Sequence, residues 1–532
     1  MTPYDAIVVG AGHNGLVTAG LLARAGLRTA VLERRDVVGG ACVTEEIAPG
    51  YRASTGAYIA SMMRPEVIRA LGLAQHGLRM TPCDPILFVP SRSGRPLFLY
   101  QDPRRTAAGI AAHSRQDADA FLAFDEEIKG LARWLEPFFL EPTPPLDEGV
   151  LSLPSLWRLG KRFRKIGEAD AGRLARFLTA SVADLVDGRF ESPEVKNLIG
   201  CSNVLGAHGG PMTPCSASGL LFHSLSGGDE LAQGFMGHVE GGMGAITKAL
   251  AAAARAFGAE VRTGAPVARI LVERGRAAGV ALTSGEELRA RVVVSNADPK
   301  RTFLGLLEHA HLDAEFRREV ASIKMAGPCA KINFALTEAP VLPQMPAGGS
   351  PAEQSDFTIC AGMEQHERAW DEAKHGRASS EPYVDCVVPT HLDPGLAPAG
   401  RHVLTAFVQY APYRLAEGDW RQERERLAER VTDAITEFAP NFRRSVVARD
   451  ILSPVDLEER FGLTEGNIFH GDLNLGQLFL GRPLPGWSRY RTPVRGLYLC
   501  GAGTHPGGGV TGAPGWNAAR QILADWKTKR LR

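Results

Sequence analysis

The chain has 532 residues, of which 22% are charged and 44% hydrophobic, and its formal net charge is +1. That length exceeds one ordinary hydrophobic core, so two or more domains are predicted. The balanced charge removes any global electrostatic case for binding nucleic acid.

The first forty residues carry a complete nucleotide-binding fingerprint. A strand-like run, Asp5-Ala6-Ile7-Val8-Val9, enters Gly10-Ala11-Gly12-His13-Asn14-Gly15, and a second apolar run, Thr29-Ala30-Val31-Leu32, is closed by Glu33. Gly10 permits the tight turn, Gly12 lets the backbone approach a pyrophosphate, and Gly15 lets a helix pack on the sheet. The helix start presents unpaired N–H groups and a positive dipole end to phosphates. Glu33 stands where a carboxylate accepts hydrogen bonds from a ribose. His13 sits in the phosphate turn and is expected to shape it. Residues 1 to about 75 therefore read as βαβ plus an extension, with 41–58 running over the bound dinucleotide.

Phe121, Phe124, Ile128, Leu131 and Leu135 predict a helix with one buried face, broken by Pro137, Pro142, Pro144 and Pro145. The stretch 156–166 is basic and amphipathic, with Arg158, Lys161, Arg162, Arg164 and Lys165 set among Trp157, Phe163 and Ile166. It reads as a solvated helix face or as a peripheral contact with an anionic membrane surface. A further helix carries Met243, Ile246, Leu250, Ala254 and Phe257. Strand patterns at 267–272, 277–282 and 292–294 predict an antiparallel meander returning to the nucleotide-binding sheet. Strands at 331–336, 384–388 and 403–410, with a helix over 427–438, predict a second domain built on a sheet. A last strand, 496–500, enters a Gly-rich loop and then a helix over 516–527.

The eight cysteines are dispersed, with no CxxC pair and no zinc-ligand spacing, so no metal is expected and a reducing compartment fits. The chain enters its first strand at once, leaving no room for a signal peptide, and a cytoplasmic location is expected. The uncharged stretches 197–228 and 496–519 are rich in Gly and polar residues and do not read as transmembrane helices.

Two more Gly-rich segments accompany the fingerprint: Gly39-Gly40-Ala41 after Arg34 and Arg35, and Gly501-Ala502-Gly503-Thr504-His505-Pro506-Gly507-Gly508-Gly509-Val510 after the final strand. A simple NAD dehydrogenase has no need of a loop so distant in the chain. A flavoprotein does, because the flavin end of FAD reaches across the domain. Together with Glu240-Gly241-Gly242-Met243-Gly244 and Val292-Val293-Val294-Ser295-Asn296-Ala297, these segments make the chain similar to the phytoene desaturase (carotenoid desaturase-like) flavoproteins.

That resemblance implies an α/β fold. Its Rossmann-like FAD-binding domain, of the glutathione-reductase-like type, would be discontinuous, formed by 1–75, 235–305 and 465–532. Residues 76–234 and 306–464 would form an inserted substrate domain of sheet plus helices with a helical lid. By position, Gly10, Gly12, Gly15, Glu33, Arg34, Gly39 and Gly40 would hold the adenosine and pyrophosphate, and the Val267 backbone would meet the adenine. Gly503, Thr504, Gly509, Val510 and Thr511 would lie by the pyrophosphate, ribitol or isoalloxazine. His13, Asn14, Ala41, Asn296 and Gly501, on the same loops, complete the expected binding set. Disulfide reductases are similar to this chain as far as Gly39-Gly40-Ala41-Cys42, but they need a second cysteine five positions on, where this chain has Ile47. Disulfide chemistry is therefore not expected, and Cys42 reads as a packed residue.

Removing two hydrogens from a C–C bond needs a positioned hydride acceptor, which the flavin supplies, and a base. His505 is the first candidate base because its loop is expected beside the flavin ring. His208, His470 and His223 follow, each alternatively a packed, hydrogen-bonded histidine. Met212, Phe222, Phe235, Phe469 and Phe479 are candidates for lining an apolar tunnel. The leading expectation is an FAD-dependent oxidoreductase that dehydrogenates a small apolar, isoprenoid-type substrate. A flavin-dependent polyene isomerase or saturase, a flavin amine oxidase and an FAD-stabilised interaction protein remain alternatives.

Overall fold

The structure is a computed structural model that describes residues 3–144, 153–201, 204–225, 236–346, 350–528 and 531. Pro145 and Phe235 lie outside the described residues. Among the described residues no helix is long and apolar enough to cross a membrane.

The fingerprint strand Tyr4–Val9 runs parallel to Thr29–Leu32, with Val8 opposite Val31, and on its other side to Glu287–Ser295, with Val8 opposite Val294. Leu497–Leu499 pairs in parallel with the end of Glu287–Ser295, and Glu260–Arg262 extends the far edge. Val267–Glu273 and Arg276–Leu282 add the expected antiparallel meander. Successive side chains alternate between faces, so both faces of the parallel part must be covered. Ala6, Val8, Val31 and Val294 pack beneath His13–Arg24, Gly244–Ala256 and Ala513–Lys527. Ile7, Leu32 and Val293 pack with Ile270, Val280, Phe303 and Phe316. Each such fully buried valine or leucine contributes roughly 1.5–3 kcal/mol.

The second sheet has seven strands in the order Val446–Leu452, Cys329–Leu336, His402–Gln409, Tyr383–Val387, Asp356–Ile359, Leu87–Val89 and Leu97–Leu99. Ala330, Ile332, Phe334, Leu404 and Val408 face Leu427, Val431 and Ile435 of the helix Trp420–Phe438. That helix starts earlier than its apolar stripe predicts. Asp419 caps it, accepting N–H bonds from Arg421 at 2.9 Å and Gln422 at 3.2 Å, so charged, solvent-facing turns join the helix. The strands Leu87–Val89 and Leu97–Leu99 were not predicted, being too short to show alternation.

Helices between residues 103 and 224 form a separate apolar cluster around Phe121, Phe124, Phe177 and Leu185. The basic stretch 156–166 lies in the helix Leu153–Thr179, whose geometry breaks at Gly167. Trp157 is 67% and Phe163 50% exposed, and Phe163 leans edge-on against Trp134.

Candidate functional site

A cleft of about 340 Å³ opens at the carboxyl ends of the parallel strands, where ligands bind in sheets of this kind. The three Gly-rich segments meet there. Gly10, at φ +94°, turns the chain from strand to helix. Gly12 pairs with Gly39 in a parallel bridge, and the Gly39 N–H donates to the Ala11 carbonyl at 2.9 Å. A Cβ on Gly12 would stand 2.7 Å from Asn296 Nδ2, so any side chain there must displace the Asn296 amide at the cleft wall. Gly12 is also the N-cap of His13–Arg24 and supplies no side-chain cap, which leaves first-turn N–H groups available to a ligand. Glu33 Oε2 accepts from Ala11 N–H at 2.8 Å and Oε1 from Arg35 N–H at 3.0 Å, which fixes the carboxylate at the cleft wall.

The cleft is also lined by His13, Asn14, Arg34, Gly40, Ala41, Val267, Asn296, Gly509, Val510 and His470. His13 Nε2, Asn14 Oδ1 and His470 Nδ1 are buried there without hydrogen-bond partners. Orphaned polar atoms beside uncapped N–H groups and a side-chain-free turn fit a polar, phosphate-bearing ligand. Burial, and secondarily the field of His470, lowers the His13 pKa to about 4, and burial lowers that of His470. Arg34 anchors on the carbonyls of Glu459 and Arg460, both at 2.8 Å, and burial followed by the nearby Arg301 lowers its pKa. Cys42 Sγ donates to the Met243 carbonyl at 3.3 Å, and burial raises its pKa to about 12, so it is a packed thiol.

Other expected residues stand behind the cleft. Gly15 packs against the Gly10 carbonyl, and Gly501 faces the Asn296 carbonyl, 2.6 Å from where its Cβ would lie. Gly503 packs on Pro299, and the Thr504 hydroxyl donates to the Gly501 carbonyl at 2.9 Å. Thr511 Oγ1 accepts from Ala513 N–H at 3.0 Å and its carbonyl accepts from Arg64 N–H. The sequence did not single out Arg482. Its buried guanidinium donates to the carbonyls of Phe469, Asp472, Gln477 and Ala502, tying the 469–477 loop to the C-terminal Gly-rich loop.

A second cavity of about 340 Å³ shares Ala57, Tyr58, Phe407, Ile468, Phe469 and Val510 with the cleft. A third, of about 430 Å³, shares Leu205, Phe222, His223 and Phe469 with the second. Phe222, Phe469 and Phe479 line these cavities, as expected for a tunnel, whereas Met212 is surface-exposed. His208 and His505 line the third cavity rather than the cleft. His505 Nε2 lies 2.8 Å from the Phe138 carbonyl, and burial lowers its pKa, like that of His223, to about 4.

The inserted sheet supplies a group that sequence motifs did not reveal. Its face opposite the helix Trp420–Phe438 holds a cross-strand row of Lys331, Phe407, Asp385 and Thr358. Lys331 lines the cleft, is 2% exposed, bonds Thr405 Oγ1, and holds Nζ 4.8 Å from the centre of the Tyr58 ring. Burial lowers its pKa from an ordinary 10.5 to about 7. Asp385 accepts from Tyr58 Oη at 2.5 Å and Thr358 Oγ1 at 2.7 Å, and burial raises its pKa. The available signal was a lysine inside an apolar strand at an alternating position.

The mainly parallel sheet with its Gly-rich cleft, and the cavities that border it, define a dinucleotide-binding flavoprotein fold. The chain belongs to the flavin containing amine oxidoreductase family, whose pattern it matches over residues 15–523. It is 42% identical to pyridine nucleotide-disulfide oxidoreductase domain-containing protein 2 of Mus musculus, over 98% of this chain and 94% of that protein. It is 27% identical to a limonene dehydrogenase component of Castellaniella defragrans, over 98% and 94% respectively. The lycopene-forming phytoene desaturase of Pseudescherichia vulneris is 26% identical, over 95% and 96%. A putrescine oxidase triple mutant shares the fold, with a TM-score of 0.60 at 16% identity over 99% of both chains. The protein is an FAD-dependent oxidoreductase with a flavin amine oxidase-like α/β fold, and phytoene desaturases are its distant homologues.

Proposed function

We propose that the enzyme desaturates an apolar, isoprenoid-type substrate. The observation that carries this reading is the run of apolar cavities from the cleft to the base of the basic helix, where Leu159, Phe163, Leu174 and Leu178 line the third cavity. Limonene and phytoene, named in two relatives, are compounds of that class.

When bound, FAD supplies the hydride acceptor. Glu33 is read as the ribose anchor, and the Gly10–Gly15 and Gly39–Ala41 turns as the pyrophosphate cradle, an arrangement of the glutathione-reductase-like type. Loss of a hydride and a proton turns the C–C bond into C=C, and the neutral Lys331 amine accepts that proton. Asp385 and Tyr58 hold the proton acceptor's surroundings in register, while Phe407, Ile468 and Phe469 exclude water. The exposed Trp157 and Phe163 on the basic helix are read as a contact with anionic membrane surfaces, from which an apolar substrate enters. Salt-sensitive sedimentation with anionic vesicles tests that contact, and sedimentation unaffected by salt or absent altogether refutes it.

The decisive experiment mixes the purified yellow protein with acyclic and cyclic isoprenoids without oxygen. Flavin bleaching with formation of a more unsaturated product is the expected result. Product with fully oxidised flavin assigns a non-redox isomerase instead. Bleaching only by amines assigns an amine oxidase. No response to any of these, with a tight protein partner, assigns an interaction role.

A further inference from the structure

Away from the cleft, three segments bring together groups that spacing along the chain did not connect. Cys201 closes the helix Pro193–Gly200, Cys360 follows the strand Asp356–Ile359, and His366 lies in the first turns of the helix Met363–Lys374. One donor atom from each lies within 4.8 Å of the other two. His366 is 2% exposed, and neither of its ring nitrogens has a partner in good hydrogen-bond geometry; the nearest candidate is the Cys360 thiol, which is also directed to the Gly362 carbonyl at 3.6 Å. Its ring is held in place nonetheless. Tyr383 stacks on it at 4.8 Å with an interplanar angle of 9°, and Tyr410 packs at 5.2 Å. Asn197 Nδ2 donates to the Cys360 carbonyl at 2.9 Å, joining the first segment to the second.

We propose that Cys201, Cys360 and His366 form a binding site for a thiophilic d¹⁰ cation, zinc(II) or copper(I). Two thiolates and an imidazole are the donors such ions select. A buried imidazole whose nearest partner is a weakly bonding thiol is poorly satisfied, and a cation between the sulfurs satisfies it better. A disulfide between the cysteines would leave His366 as bare as before. With zinc(II), two thiolates sum to no net charge, which suits a site closed by aromatic rings. With copper(I), three donors complete a trigonal shell. Binding displaces the two thiol protons to solvent and changes no oxidation state. The bound ion would clamp the segment after Cys201, whose Leu205 and His208 form cavity wall. This site does not depend on the desaturase reading.

The test uses the full chain with its FAD, reduced by a phosphine, stripped with a chelator under argon, and titrated with zinc sulfate or copper(I)–acetonitrile before dialysis. One retained equivalent of at least one ion is expected, and the ion kept in direct competition is the one the donor set prefers. Cys201→Ser or Cys360→Ser should abolish retention, and His366→Ala should weaken it about tenfold or more. Their flavin absorbance reports folding. Should a variant not fold, cobalt(II) added to the unmodified protein should give intense thiolate-to-metal absorption. Retention unchanged in both serine variants, or a reduced protein that takes up neither ion and gives no such band with cobalt(II), would overturn the proposal.

Discussion

Val8 and Val294 in the parallel sheet and Phe334 and Val408 in the inserted sheet are all buried, each beneath helices. The opposite faces of the two sheets differ. In the parallel sheet Ile7 and Val293 pack into a second apolar layer. In the inserted sheet the far face holds Lys331, Asn333, Asp385 and Thr405, all buried. A sheet covered on both faces can offer ligands only its strand ends, so its binding groups gather in loops. In the inserted sheet the far face is also buried, packed in part against Val43, Leu457 and Phe461, but it leaves titratable groups mid-strand against a cavity. In the proposed function, the two sheets would divide the work between holding the cofactor and handling a proton.

The largest effect expected on the holding side comes from Gly12→Val. Its branched side chain would occupy the space of Asn296 Nδ2, and the purified protein should be nearly colourless. A fully yellow variant would remove the turn from cofactor binding. On the proton side, Lys331→Met should keep the flavin yet slow single-turnover reduction by about 10²–10⁴-fold. Equal rates would dissolve the division of labour between the sheets.

Reduction in the unmodified enzyme should accelerate as pH rises through about 7, because the Lys331 amine becomes able to accept a proton. The methionine variant should lose that dependence. The same group sets a stability trend. Its pKa is lower folded than unfolded, so the unfolded chain binds more protons between about 7 and 10.5, and Lys331 makes stability rise with pH across that window. Denaturant midpoints should therefore rise with pH across that window in the enzyme more steeply than in the methionine variant, and a relative fall would refute the assignment. Tyr58→Phe, which removes the hydroxyl bonded to Asp385, should slow reduction about tenfold. His505→Ala should have the smallest effect, slowing reduction more than it weakens FAD retention. A reduction rate left wholly unchanged would restrict His505 to its contact with the Phe138 carbonyl.

The first sheet was legible because its chemistry is local. Gly10, Gly12 and Glu33 lie close in sequence, and each is chosen by backbone geometry or by hydrogen bonds to nearby backbone N–H groups. The C-terminal loop was legible as a Gly-rich partner, and Gly509 and Val510 do line the cleft. His505, in the same loop, points instead to the outer cavity, since a loop residue's direction depends on what packs around it. The lysine of the inserted sheet was passed over because Lys-Ile-Asn-Phe-Ala-Leu shows only a strand. Nothing in that run tells which face meets a cavity.

Motif spacing and periodicity by themselves pointed to a dinucleotide, to FAD through a second Gly-rich loop, and to a second region built on a sheet, whose insertion only the family resemblance implied. These properties depend on short-range backbone geometry, which a few adjacent residues dictate. The convergence of Lys331, Tyr58 and Asp385, the run of cavities, and the meeting of Cys201, Cys360 and His366 were decided only by tertiary structure. Each requires strands and helices distant in the chain to be set in one register, and that register is chosen by the burial of whole faces.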